Sequence, residues 1–181
     1  MAVTMARESR ISLGVKCSES VVVKQDSVFS VCGRAFLVAP SQPENTTQAP
    51  PSQLECNLLF CILQYNYGLC RHLVGVARKE ESAVEEALES YVSAQELLNS
   101  LSFPGPLTII LDLALSNNQS HIYHHYIQDR VPLYSSLNRT KLLMNQIFSL
   151  YGSVESGTIV CAAYNMMAAV GFYGQRLAAV A

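Results

Sequence analysis

Gly157-Thr-Ile-Val-Cys-Ala-Ala-Tyr-Asn-Met-Met-Ala-Ala-Val-Gly-Phe-Tyr-Gly174 carries no charged side chain and is apolar on every face. A helix of that composition has to be surrounded, because each aliphatic side chain left in water forgoes about 1.5–3 kcal/mol of burial. Two settings surround it: the centre of a helical globule and a bilayer. The segment is at the short end for a span, and Tyr164 and Asn165 at its middle are costly in lipid, which favours the globule. The expected architecture is therefore all-α, a helical bundle around a central hydrophobic helix.

Working outward, the whole chain has 181 residues, 50% hydrophobic and 14% charged, enough for one ordinary domain and too apolar to be disordered throughout. Twelve Lys plus Arg against 14 Asp plus Glu leave a formal charge of -2 with no basic block, which argues against nucleic-acid binding. The cysteines, Cys17, Cys32, Cys56, Cys61, Cys70 and Cys161, form no C-x-x-C pair and read as reduced intracellular thiols. Residues 1–16 lack the apolar run of a secretory signal, so the three Asn-x-Ser/Thr matches at Asn45, Asn118 and Asn138 carry little weight.

Residues 1–52 hold two short β-branched runs, Val21–Val23 and Val28–Val31, then a linker containing Pro40, Pro43, Pro50 and Pro51. Two strands alone are marginal in water, so this segment is expected to be disordered or loosely packed. A helical domain follows over 53–181, apparently incomplete at its carboxyl end because Leu177-Ala-Ala-Val-Ala181 has neither cap nor breaker. Leu54, Leu58, Leu59, Ile62, Leu63, Leu69 and Leu73 recur at helical spacing and predict a helix over 53–77, ended by Gly75 and the charges after it. Ser82 and Glu85 have capping-box spacing and predict a second helix over 82–101, with Val84, Leu88, Tyr91, Leu98 and Leu101 inward. Glu85, Glu86, Glu89 and Glu96 make its opposite face, which reads as solvated. Leu107 to Leu115 is apolar on nearly every side and should be buried; its length favours a helix over 106–116 entered through Pro106, with a six-residue strand as the alternative that periodicity alone does not separate. Asn117-Asn-Gln-Ser120 loosens the pattern, and apolar anchors scatter around Pro132. Further helices are expected over 139–151, with Leu143, Ile147, Phe148 and Leu150 inward and Gly152 as terminator, and over 155–179.

Few residues suggest chemistry. His121-x-x-His124-His125 with Asp129 has metal-ligand spacing, yet zinc needs a third strong ligand and an outer shell, so a half-exposed polar helix or turn is favoured. The chain has no phosphate-binding glycine loop and no nucleophile elbow. Cys56, Cys61 and Cys70 on the first helix and Met166-Met167 near the end read as small or adaptable core side chains. The expectation is a non-enzyme without cofactor or metal.

The stretch from Asn145-Gln-Ile-Phe-Ser-Leu-Tyr-Gly152 through Gly157-Thr-Ile-Val160 to Val170 is similar to the first homology motif of the B-cell lymphoma two family of apoptosis regulators. Phe148, Gly152 and Gly157 stand where that family's aromatic, turn glycine and motif glycine fall, and Ile159 and Val160 match the aliphatic start of its central helix. Leu58 to Tyr67 resembles the family's fourth motif, and Leu107-Thr-Ile-Ile-Leu111-Asp112 resembles its third, with Leu111 bulky where the family has a small residue. Glu155, Ser156 and Thr158 replace the Asn, Trp and Arg of the first motif, which removes the cation that anchors a ligand carboxylate.

The resemblance implies regulation of apoptosis by laying an amphipathic death-motif helix in a hydrophobic groove. Leu143, Ile147 and Phe148 would form one side, Leu107 and Leu111 the other, with Gly157, Ile159 and Val160 at the helix entry. It also implies homo- or heterodimers and a cytoplasmic protein at mitochondrial or endoplasmic reticulum membranes. The alternative is a small membrane-inserted helical adaptor with residues 157–174 as its span.

Overall fold

The structure, a computed structural model, describes residues 14–17, 31–33, 35–39, 52–101 and 105–151. The expected central helix over 155–179, the membrane-span alternative over 157–174 and the terminator Gly152 lie outside the described residues. Within them the protein is all-α, with helices α1 (Gln53–Arg78), α2 (Glu81–Ser100), α3 (Pro106–Ile122) and α4 (Arg130–Tyr151) packed on one another. A single turn of π-helix (Tyr123–Ile127) separates α3 from α4.

Helix α1 starts in a full capping box. Glu55 N donates to Ser52 Oγ at 3.3 Å, while Ser52 N donates to Glu55 Oε2 at 2.6 Å. The helix runs through Gly75 and stops at Lys79, which takes the left-handed conformation at φ 56°. Gly75 therefore serves packing rather than termination: a Cβ there would lie 2.6 Å from Val84 Cγ2 and 3.0 Å from Val84 N. Gly68 does the same for the Tyr91 ring, 2.9 Å from where its Cβ would be. With Cys61 Sγ against Ala94 O, these contacts trace an antiparallel hairpin from Cys61 to Gly75 on α1 and from Val84 to Ala94 on α2. The capping box expected at Ser82 does not form. Helix α2 begins at Glu81, so Ser82 is already inside it, and its hydroxyl turns back to Glu80 Oε1.

Among the described residues, α3 is the helix enclosed on all sides, and Leu111 to Ile122 is one unbroken buried run. The Asn117-Asn-Gln-Ser120 stretch continues this helix six residues past the expected end at 116. Each polar side chain there finds a buried partner, and these tertiary bonds outweigh a low intrinsic propensity. Ser120 Oγ donates to Ser116 O at 2.8 Å, Gln119 Nε2 to Gln95 Oε1 at 3.0 Å, and Asn118 reaches both Cys32 and Tyr91.

Helix α4 starts nine residues before the expected 139. Asp129 Oδ1 accepts from Val131 N at 3.0 Å, and Pro132 sits in the first turn, where its missing N–H removes nothing. Six of the eight buried positions of α2 recur in α4 with identical spacing. Val84, Ala87, Tyr91, Ala94, Gln95 and Leu98 correspond to Leu133, Ser136, Thr140, Leu143, Met144 and Ile147, all of them buried. The domain thus presents two successive helical hairpins whose second arms bury the same face.

The described parts of the amino-terminal segment are a two-stranded antiparallel ribbon, β1 (Gly14–Cys17) with β2 (Phe36–Ala39), and the residues leading into β2. Cys32 and Phe36 join the main apolar cluster of α1, α2 and α3. Two carboxamides hold them by the backbone. Asn66 accepts from Phe36 N at 2.9 Å and donates to Phe36 O at 2.8 Å, and Asn118 does the same for Cys32 at 2.8 and 3.3 Å. Each asparagine stands in for a neighbouring strand, satisfying both backbone groups of one residue.

Candidate functional site

The polar interior has two halves. In the first, Arg139 of α4 forks onto Asp112 of α3, with Nε to Oδ1 and Nη2 to Oδ2 both at 2.7 Å. Gln95 of α2 also donates to Asp112 Oδ1, and Arg139 reaches Asn99 Oδ1. This carboxylate, most of it out of solvent, is neutralised within the fold. It is not on offer to an external cation.

The second half is a relay whose donors can be ordered. Both hydrogens of Asn118 Nδ2 are used, one on Cys32 O and one on Tyr91 Oη at 3.2 Å. Tyr91 then donates to His72 Nδ1 at 3.3 Å, and His72 Nε2 donates to His121 Nδ1 at 3.0 Å. That order requires a neutral His72, and burial indeed pulls its pKa down to about 3. Burial pushes His121 the same way, well below the usual range, helped by the neighbouring His72, His125 and His124. His125, on the π-turn, is lowered to about 4 by burial and by His124. The rings pack in series, with centroids 4.9 Å apart for His72 and His121, 4.6 Å for His121 and His125, and 4.5 Å for His124 and His125. Burial likewise raises Tyr65 and Tyr91 well above the usual phenol value.

Among the described residues, no three His, Cys, Asp or Glu side chains come together in a way that would hold a metal ion. A cavity of about 130 Å³, lined by Glu81, Val84, Glu85, Ile122, Tyr126 and Ile127, lies between α2 and the π-turn. It is smaller than the roughly 300–1,000 Å³ typical of small-molecule sites.

The expected groove residues fall on two sides of α3. Leu111 is fully buried in the main cluster, and Leu107 packs against that cluster half-buried. Leu143 and Ile147 are buried in a separate cluster with Ile109, Leu113 and Met144. The body of α3 stands between the two pairs, so they do not face each other across an open trough. Phe148, expected inward, is 50% exposed. Gly157, Ile159 and Val160 lie outside the described residues.

Sequence reasoning passed over Asn66, His72, Gln95, Asn118 and Arg139, which organise the interior. A signal was present: His72 is in phase with Tyr65 and Leu69, and Gln95 adjoins Ala94 on the inward face of α2. A polar side chain on a buried stripe demands a partner.

Neither protein-family models, nor curated proteins, nor solved structures give a match to this chain. What defines it is its own architecture, an all-α domain with a closed polar interior and large apolar side chains left on the outside of α4.

Proposed function

We propose that the chain is a non-catalytic interaction domain that regulates apoptosis by receiving an amphipathic death-motif helix of a partner along α4. The observation that carries this reading is the exposure of Phe148. It lies one helical turn beyond the buried Met144, on the side of α4 that also carries the exposed Tyr134 and the half-buried Leu137. Aromatic anchors beside a well-packed apolar cluster are the usual centre of a helix-binding surface. Because Asp112 and Arg139 are consumed by each other, docking on this side would rest on apolar contact.

None of the described helices is long and apolar enough to cross a membrane.

Calorimetric titration of the full chain with death-motif peptides tests the proposal. Binding is expected, and Phe148→Glu should remove it while the far-ultraviolet circular dichroism stays the same. Leu143→Glu is the wrong probe, since Leu143 is buried and a carboxylate there would unfold the domain. Absence of binding by the unmutated chain refutes the reading.

A further inference from the structure

Cys32 and Phe36 are held the way a receptor holds a peptide. Asn66 of α1 pairs with both main-chain groups of Phe36, and Asn118 of α3 with both of Cys32, so two helices read one non-helical segment by its backbone. Tyr65 Oη adds a second donor to Cys32 O at 3.1 Å. The side chains then supply selection: Cys32 and Phe36 enter the apolar cluster, each 2% exposed, and the Phe36 ring meets Tyr65 edge-on with centroids 5.2 Å apart. Main-chain bonds that ignore sequence, joined to pockets that select it, are the two components of peptide recognition. The helices preset one clamp, since Asn118 Oδ1 also accepts from Asn117 Nδ2 and Asn118 Nδ2 also donates to Tyr91 Oη, both at 3.2 Å. An empty slot would cost Asn66 and Asn118 two bonds each beside an apolar cluster, so the site demands a peptide backbone.

We propose that this slot is a receptor for a non-helical peptide of another protein, a small residue followed four positions later by Phe, and that Cys32 and Phe36 fill it in cis as a displaceable plug. The chemistry of the occupant is read from the segment in place. Beyond Phe36 the ribbon pairs with itself, Leu37 is 51% exposed, and residues 40–51, which join β2 to α1, include four prolines. A tether of that length gives an effective concentration of about a millimolar, which a partner peptide can outcompete. A second copy is not the occupant that gains: its own segment is equally engaged, so exchange makes no new bond and costs association entropy. The slot belongs to α1 and α3 and is separate from the α4 side on which the proposed function rests.

Fluorescence anisotropy on the full chain under reducing conditions reads the proposal, with a fluorescein-labelled peptide of residues 29–40 as the probe. Phe36→Ala weakens the plug and leaves every receptor residue in place. The probe should bind that variant at least about thirtyfold tighter than the unmutated chain, because occupancy in cis lowers the competent fraction. Adding Asn66→Ala should weaken the binding about tenfold or more, although it loosens the plug further, because it removes a receptor group. A probe carrying Phe36→Ala should not bind. Phe36→Leu is the second variant should Phe36→Ala lose its helical circular dichroism, with the same direction expected. Equal binding to the unmutated and variant chains, no binding to either variant, or indifference to Asn66→Ala overturns the proposal. A Phe36-dependent dimer of the unmutated chain in sedimentation equilibrium also overturns it, giving the slot to a second copy. Titration of Phe36→Ala with the death-motif peptides should match the unmutated chain, which tells failure here from failure of the α4 reading.

Discussion

Asp112 and Arg139, on adjacent antiparallel helices, meet in a two-pronged ion pair with both N···O distances at 2.7 Å, and Gln95 closes the same carboxylate from a third helix. One side chain thereby ties α2, α3 and α4 together. Arg139→Met leaves a largely buried carboxylate without its cation, and a loss of roughly 3 kcal/mol is expected in urea unfolding. The double variant Asp112→Leu with Arg139→Met should recover much of that loss, because the cost lies in the uncompensated charge. Equal destabilisation of the single and double variants would contradict this account.

Acid should loosen the domain through its histidines. His72 in the folded state is lowered to about 3, so the folded protein resists a proton that the unfolded chain accepts near 6.5. The stabilisation from keeping His72 neutral is fully present above about 6.5 and is lost as pH falls towards 3. Over that window His72 alone contributes a slope of about 1.4 kcal/mol per pH unit, and His121 acts in the same direction. Unfolding free energy measured between pH 7 and 4.5 should therefore fall steeply, and His72→Gln should flatten the curve. A pH-independent stability over that range would be incompatible with the relay.

Filling the glycine contacts should cost more than it gains. Alanine improves helix propensity by about 1 kcal/mol over glycine. At Gly75, however, the new methyl would meet Val84 Cγ2 at 2.6 Å and backbone atoms at 3.0 and 3.1 Å, which cannot step aside singly. Gly75→Ala is expected to destabilise by roughly 1–3 kcal/mol, the usual range for overpacking, and to lower the melting temperature. An increase in melting temperature would mean the hairpin opens there at little cost.

Removing a carboxamide clamp should free the segment it holds. Asn66→Ala deletes both bonds to Phe36 and should leave the four helices folded. Hydrogen exchange at Phe36 should accelerate by about one to two orders of magnitude, the equivalent of about 1–3 kcal/mol, while amides in α2 keep their protection. Uniform acceleration across the domain would show that the clamp supports the helices as well.

The sequence told most where helices begin at strong signals and least where polar residues stand inside. Helices α1 and α2 match their expected bounds within a residue, because prolines precede α1 and charged turns separate the two. The inward face of α1 was harder to read. Leu54 and Leu63 lie on the leucine stripe yet are exposed, since the true core face is set by Cys61, Tyr65, Gly68, His72 and Gly75. Small and polar residues count for little in a hydrophobic pattern, although they let helices approach and bond. The end of α3 escapes the pattern for the same reason: Asn118, Gln119 and His121 look like loop residues until Cys32, Gln95 and His72 are seen beside them. Leu143 and Ile147 were correctly read as inward. Their separation from Leu107 and Leu111 by the body of α3 depends on how α3 is rotated, which its almost uniformly apolar first half does not encode.

Asn66 and Asn118 grip only main-chain atoms of the peptide they moor, so their four hydrogen bonds do not depend on the identity of its side chains. A substitution at the exposed Leu37 should leave that mooring nearly untouched, whereas the two asparagines and the contacts of Val31, Cys32, Ala35 and Phe36 with the core tolerate less change. The strictness of this attachment is written into the receiving helices, far along the chain from the segment that benefits.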